Sequence, residues 1–295
     1  MKYAFIREHQ QEFSVAAMCR VLKVSRSGFY DWRDRGPSAR SLANAALLAD
    51  IRKVHLEHRQ AYGALKTWQA LKQQGIACGK HRIARLRAQA GIEARRKRRF
   101  RVMTEHHKTR NAPDLLQRRF QSTAPNRVWV GDMTFIRTRQ GWLHLAVLLD
   151  VFSRRVVGWS MGNQADQQLS LSALNMALVQ RQPKAGLVHH TDGGSPYKAT
   201  AYRARLESQG LQASMNGRKS AYDNAVAESF FSNLKNELVH HSDFHTRDQA
   251  RAAIFDYIEL FYNRKRIHQS LDYRTPDDVE RQWRGAALTC PRNPG

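Results

Sequence analysis

The feature that most constrains this fold is a change of texture near Phe120. Beyond it three runs, VWVGDMTFIRT, WLHLAVLLDVF and RRVVGWSM, follow one another with apolar residues on both faces. Short runs of this kind, bounded by turn-forming residues, predict central strands covered by helices on each side. Their connections fall around Gly141-Trp142 and Ser153-Arg154. QQLSLSALNMALVQR then predicts an amphipathic helix, GLVHHTD a short buried strand, SPYKATAYRARLESQG a helix and LQASMN another strand. YDNAVAESFFSNLKNELV and RDQARAAIFDYIELFYNRKR follow as helices. A three-strand meander followed by alternating helices and strands implies a layered α/β domain with a mixed sheet.

The chain before this point is helical in pattern. Ser14 can cap a short helix with Val15, Met18, Val21 and Leu22 at helical spacing, and Ser25 a second one carrying Phe29, Tyr30 and Trp32. The tight connection at Lys23-Val24 makes residues 1–36 resemble a helix-turn-helix, ended by Gly36-Pro37; any small helical hairpin shares that pattern. A second helical, HTH-like unit spans residues 42–92. In it AYGALKTWQALKQQG ends on Gly75, placed for a left-handed cap, and GKHRIARLRAQAG carries an apolar stripe of Ile83, Leu86 and Ala90. Lys80, Arg82, Arg85 and Arg87 lie outside that stripe, and cations with no acid among them favour phosphate contact over a merely solvated face. Residues 93–118 contain the basic block RRKRRFR, with Arg96, Lys97, Arg98 and Arg99, and read as a linker that orders along a phosphate backbone. The α/β core is expected over 119–285, with a tail at 286–295.

Charge limits the partners. The chain has 49 Lys+Arg against 25 Asp+Glu, a formal charge of +24, which implies a polyanion. No apolar run reaches membrane-spanning length and no acylation motif is present, so a cytoplasmic protein with no membrane partner is expected. Cys19, Cys78 and Cys290 are scattered and form no CxxC, which fits a reducing compartment and argues against a structural zinc finger.

Within this basic background three acids occupy particular settings. Asp132 lies inside the first strand, where a bare carboxylate is costly, and Asp192 ends the GLVHHTD strand before Gly193-Gly194. On the YDNAVAESFFSNLKNELV helix, Val226, Phe230, Leu234 and Leu238 form the apolar stripe, while Glu228, Ser232 and Lys235 fall on the opposite side. Lys235 follows Glu228 by seven residues, about 10 Å along the axis. Asp223 and Glu237 fall nearer the stripe, Asp223 as an N-cap candidate. Converging carboxylates without cations would repel one another, so the set predicts divalent metal, two ions in the usual shared-carboxylate arrangement, and phosphodiester chemistry. A lone Asp in such places is more often a cap or turn residue; the three together are not.

WVGDMTFIRT, LLDVFSRRVVGWSM, HTDGGSPY, YDNAVAESFFSNLKNE and YNRKRIHQSLDYRTP together resemble the OrfB transposases of insertion sequences in the IS-three family. The resemblance covers nearly the whole chain. It implies an RNase H-like core of the retroviral integrase superfamily, with a DDE triad at Asp132, Asp192 and Glu228 and a DNA-contacting Lys235. It implies cleavage of double-stranded DNA at element ends with Mg²⁺ or Mn²⁺, and joining of the freed 3′-hydroxyl to another strand. A circular intermediate, a homo-oligomer on DNA and an upstream-frame partner protein also follow from it, this chain corresponding to the downstream frame. Gly193 stands where a basic residue is common in the family, and Pro196 where Gln is common. The pairs His189-His190 and His240-His241 are expected to face DNA or the core, and Asp150 to be structural or to support the site, with Arg154 and Arg155 placed to hold it. Two other functions remain open at this point: a metal-dependent nuclease that cuts without joining, and a DNA-binding regulator with a silent core.

Overall fold

Residues 2–95, 112–116, 121–215 and 224–289 are described in a computed structural model of the protein. The chain divides into two units, residues 1–50 and 51–295.

In the first unit, Ser14 and Ser25 act as the sequence predicts. Each side-chain oxygen accepts a bond from the backbone N–H three residues on, Ala17 and Gly28, at 3.3 Å. They start α2 (Val15–Val21) and α3 (Arg26–Asp34), joined through Lys23 in a left-handed conformation. A preceding helix, α1 (Lys2–Glu8), has no counterpart among the elements the sequence predicts. Its Ile6 closes a small core with Met18, Cys19 and Phe29. Gly28 permits the approach, since a Cβ there would stand 2.6 Å from the Tyr3 hydroxyl.

α4 (Ala39–Glu57) begins in the first unit and ends in the second, followed by α5 (Ala64–Gln73) and α6 (Lys80–Gln89). Gly75 and Gly91 take positive φ just beyond α5 and α6, the conformation a glycine stop allows. Lys80 and Arg85 are exposed and Arg82 is half-buried along the same helix, but Arg87 corrects the expectation. It is buried and donates to Thr67 Oγ1 at 3.1 Å and to the Tyr62 carbonyl at 3.0 Å, tying α6 to α5. A guanidinium so placed satisfies buried acceptors and is lost to DNA. Tyr62 in turn accepts a hydrogen bond from the Ile267 N–H at 2.8 Å, and Arg59 lies over the rings of Tyr257 and Phe261.

The strand-like runs become β1 (Val128–Thr138), β2 (Gly141–Asp150) and β3 (Val156–Gly162). α7 (Gln167–Arg181), β4 (Val188–Thr191), α8 (Ser195–Lys198), α9 (Thr200–Glu207) and β5 (Gln212–Met215) follow. The sheet order is β3-β2-β1-β4-β5, with β1 to β3 antiparallel and β4 and β5 parallel to β1. Both faces are covered, as two-sided apolar strands require. The alternation is clearest on β2. Its Leu143, Leu145, Val147 and Leu149 join Val130 and Ile136 of β1 in a core shared with α10 (Ala225–Glu237) and α11 (Arg247–Phe255). Trp129, Ala146, Leu148 and Val157 pack under α7 and α9. At Gly158 a Cβ would come within 2.3 Å of the Ala173 carbonyl, so α7 rests its backbone on β3.

α11 continues without a break into a π-helical segment, Asp256–Tyr262. The last helix, α12 (Pro276–Thr289), is not predicted from the sequence and runs across the expected boundary between core and tail. Its Glu280 receives Arg181 through two bonds at 2.6 and 2.9 Å and the Ser153 hydroxyl at 2.8 Å. Asp150 belongs to this buried network: it accepts from the backbone N–H groups of Asn126, Phe152 and Ser153, with Arg181 at 3.9 Å. It is thus structural as expected; of the two arginines placed to hold it, Arg154 feels its charge and bonds its carbonyl through the backbone N–H at 2.8 Å, whereas Arg155 pairs with Asp277 and Arg181 faces the carboxylate in its place. No helix among the described residues is long and apolar enough to cross a membrane.

Candidate active site

The parallel pairing of β1 with β4 places two of the three acids. Its last rung is Gly131↔Thr191, so Asp132 and Asp192 are the residues that immediately follow on adjacent strands. β4 ends here, whereas β1 runs on to Thr138 paired only with β2; the end of a parallel strand is where α/β sheets hold ligands. Asp132 Oδ1 accepts from the Met133 N–H at 2.7 Å, and Asp192 Oδ1 from the Gly194 N–H at 2.9 Å. Gly193 adopts φ +67, which bends the chain directly after Asp192. Gly131 is needed as glycine too: a Cβ there would lie 2.8 Å from His189 Cε1.

The histidines themselves are core residues. His189 bonds the Tyr202 hydroxyl at 2.7 Å and His190 the Ser214 hydroxyl at 2.8 Å, both buried. Burial first, and then the neighbouring His190, pushes His189 down to about 3, so it stays neutral. His240 and His241 lie in a short turn after α10, outside the core.

α10 brings the third acid. Val226, Phe230, Leu234 and Leu238 are buried, which leaves Glu228 exposed on the outer side, as the helical spacing predicts. The cap position is Asn224, whose side-chain amide donates to the Gly131 carbonyl at 3.1 Å. That bond fixes the start of α10 one residue from Asp132. Asp223, the cap candidate in the sequence, lies outside the described residues. Glu237 is buried and receives Arg266 and the Tyr257 hydroxyl, which gives it a structural role. Lys235 lies with its ammonium 5.4 Å from the centre of the Phe135 ring. Burial lowers its proton affinity and the Asp132 charge partly restores it.

Nothing in the sequence singles out Tyr197, where SPYK reads only as the start of a helix. Its hydroxyl is buried and makes no hydrogen bond among the described residues. Burial, and then the charges of Asp132, Tyr202 and Asp192, hold its proton on well above the ordinary phenol range. Asn224 also escapes sequence reasoning, because an Asn at a helix start reads as a cap. Among the described residues no three His, Cys, Asp or Glu side chains are gathered closely enough to hold a metal ion. Asp132 and Asp192 follow one rung on neighbouring strands, Glu228 lies one turn past the Asn224 anchor, and Lys235 stands over Phe135 of β1. Arg96, Lys97, Arg98 and Arg99 lie outside the described residues.

Residues 122–221 match the integrase core domain family, as do residues 228–282 through a second integrase core model. Residues 42–100 match an HTH-like domain. The chain is 43% identical over 260 residues to the "Insertion element IS600 uncharacterized 31 kDa protein" of Shigella sonnei, covering 88% of this chain and 96% of that one. It is 39% identical over 283 residues to "Transposase InsF for insertion sequence IS3A" of Escherichia coli (strain K12), covering 95% and 98%. Among solved structures, the HTLV-2 integrase catalytic core domain in complex with magnesium matches 54% of this chain and 98% of its own, at 19% identity and a TM-score of 0.42, too distant to bear on individual residues. Identity of that extent along nearly all of both chains, with an RNase H-like integrase core behind an HTH-like helical unit, makes this protein a member of the IS3 family of insertion-sequence transposases.

Proposed function

We propose that Asp132, Asp192 and Glu228 are the catalytic carboxylates of a DDE transposase that cuts double-stranded DNA at element ends and joins the freed 3′-hydroxyl to another strand. The observation that carries the assignment is the rung geometry: Asp132, within β1, and Asp192, just past the end of β4, each follow the last rung between those strands, and Asn224 ties the helix of Glu228 to Gly131. Hard carboxylate oxygens suit Mg²⁺ or Mn²⁺, and we infer a pair of ions. Bound there, such ions would polarise the phosphodiester and help deprotonate the attacking water or hydroxyl. Glu228 completes the set by turning inward when DNA and metal arrive, a tightening common in sites seen without ligands.

The chain's own groups supply the positioning. Lys235 holds a phosphate beside Asp132, and Arg82 and Arg85 contact phosphate along α6, as do Arg96, Lys97, Arg98 and Arg99 in the basic block. Membership of a transposase family disfavours the nuclease-only and silent-regulator readings. A homo-oligomer on DNA, an upstream-frame partner and a bacterial cytoplasmic location complete the reading.

The test uses labelled element-end DNA with Mg²⁺ or Mn²⁺. Asp132→Asn, Asp192→Asn and Glu228→Gln are each expected to abolish strand transfer while DNA binding is retained, and full activity in any one removes that residue from the site. Lys235→Ala is expected to reduce the salt slope of DNA affinity by about one.

A further inference from the structure

The β1–β2 hairpin extends past the layers that cover it. On the face packed by α7, contact ends at Met133 and Ala146, and β3 pairs with β2 only as far as His144↔Gly162. Beyond those limits Phe135 and Trp142 are 55% and 49% exposed. Their rings meet edge to face with centroids 5.0 Å apart. The register pairs Phe135 with His144 and Arg137 with Trp142, and directly opposed residues share a face, so these side chains form one continuous patch.

Cations border the patch. Lys235 stands over Phe135, Arg137 is exposed beside Trp142, and Arg247 donates to the Trp142 carbonyl at 3.1 Å. Asp243, the acid near the hairpin tip, is occupied by Arg139. Bare aromatic rings bordered by positive charge would suit an apolar protein partner poorly. They suit a nucleotide, whose base has a flat apolar face and whose phosphates are anionic. Duplex DNA hides its base faces in the stack, so the rings can be used only by a base that has left it.

We propose that the Phe135–Trp142 tip holds an unstacked nucleotide of the DNA that enters the active site, with its base on the rings and its phosphates on Arg137, Lys235 and Arg247. Phe135 follows Asp132 by three residues, about 10 Å along an extended strand, and the odd offset turns its side chain to the other face of β1. Pairing with β4 ends at Gly131, so a strand end would have to cross the edge of β1 to run from the carboxylates to the rings, with Lys235 of α10 reaching Phe135 around that edge. The inference rests on the reading of this site as a DNA transferase.

The full-length protein in Ca²⁺ is titrated with a blunt duplex and with the same duplex bearing a short 3′ overhang that carries 2-aminopurine. The wild type is expected to prefer the overhang and to quench the 2-aminopurine on binding. Trp142→Ala with Phe135→Ala should weaken overhang binding by about tenfold, the usual scale for loss of a base–aromatic stack, and abolish the quench. Blunt-duplex affinity and the thermal midpoint should stay unchanged, and Trp142→Phe should restore part of the preference. No overhang preference in the wild type, an undiminished preference in the double variant, or an equal loss on both DNAs would overturn the proposal. None of these readouts involves catalysis, so an active Asp132→Asn would refute the carboxylate assignment while leaving this result to stand or fall separately.

Discussion

Glu237→Gln tests how α10 is held in place. Glu237 lies two residues beyond Lys235 on the same helix, 7% exposed, and accepts from Arg266 Nε at 2.9 Å, Arg266 Nη2 at 2.7 Å and the Tyr257 hydroxyl at 2.9 Å. Arg266 is 4% exposed; burial opposes its charge, and Glu237 more than offsets that. The substitution keeps the shape but removes the charge and replaces one acceptor with a donor aimed at the guanidinium. Breaking one side of a buried ion pair costs about 3–5 kcal/mol, because a buried cation is left uncompensated. For a unit of this size each kcal/mol moves the melting midpoint by roughly 2–4 °C, so a drop of about 10 °C is expected by calorimetry. The double variant Glu237→Leu with Arg266→Met should recover most of that loss, since apolar replacement of a whole buried pair is often close to neutral. A drop below about 2 °C in the single variant, or a double variant no better than the single, would refute the account.

Three further outcomes follow from the same packing. Gly158→Ala should destabilise the core by about 3 kcal/mol or more and lower the yield of folded protein, because its Cβ would meet the α7 backbone rather than a movable side chain. Gly131→Ala should cost about 1–3 kcal/mol and reduce strand transfer more than DNA binding, since His189 must shift against the residue before Asp132; chemical denaturation and a joining assay check the two halves. His268 is pressed down to about 2 by burial and then by Arg266, Lys66 and Arg154. Its folded value lies below the unfolded one, so as pH falls below about 6.5 the unfolded chain takes the proton first and stability is lost. Denaturation midpoints between about pH 7 and pH 4 should show this loss, and His268→Gln should flatten the slope by up to about 1.4 kcal/mol per pH unit.

Much of this protein is legible in one dimension wherever the physics is local. Ser14 and Ser25 cap helices through bonds that span three residues, and Gly75 and Gly91 stop them with a conformation other residues resist. Period alone sorts Glu228 and Lys235 to the side of α10 opposite its buried stripe. The two-sided apolar runs announce a covered sheet for the same reason. Local pattern says nothing about partners distant in sequence. Arg87 reads as a surface cation until Thr67 and the Tyr62 carbonyl are found beneath it, and Asp150 reads as a partner for Arg154 and Arg155 until Arg155 is found on Asp277 and Arg181 with three backbone N–H groups on Asp150. α12 escapes notice because its buried acid, Glu280, finds its cation in α7. The strand pairing that sets Asp132 beside Asp192, the Asn224 bond that brings α10 to them and the buried Tyr197 hydroxyl are tertiary facts as well. Residue types and spacing determined which chemistry this chain could carry; only the packing of distant segments decided which charges are left to carry it, because burial and pairing depend on neighbours that sequence order does not reveal.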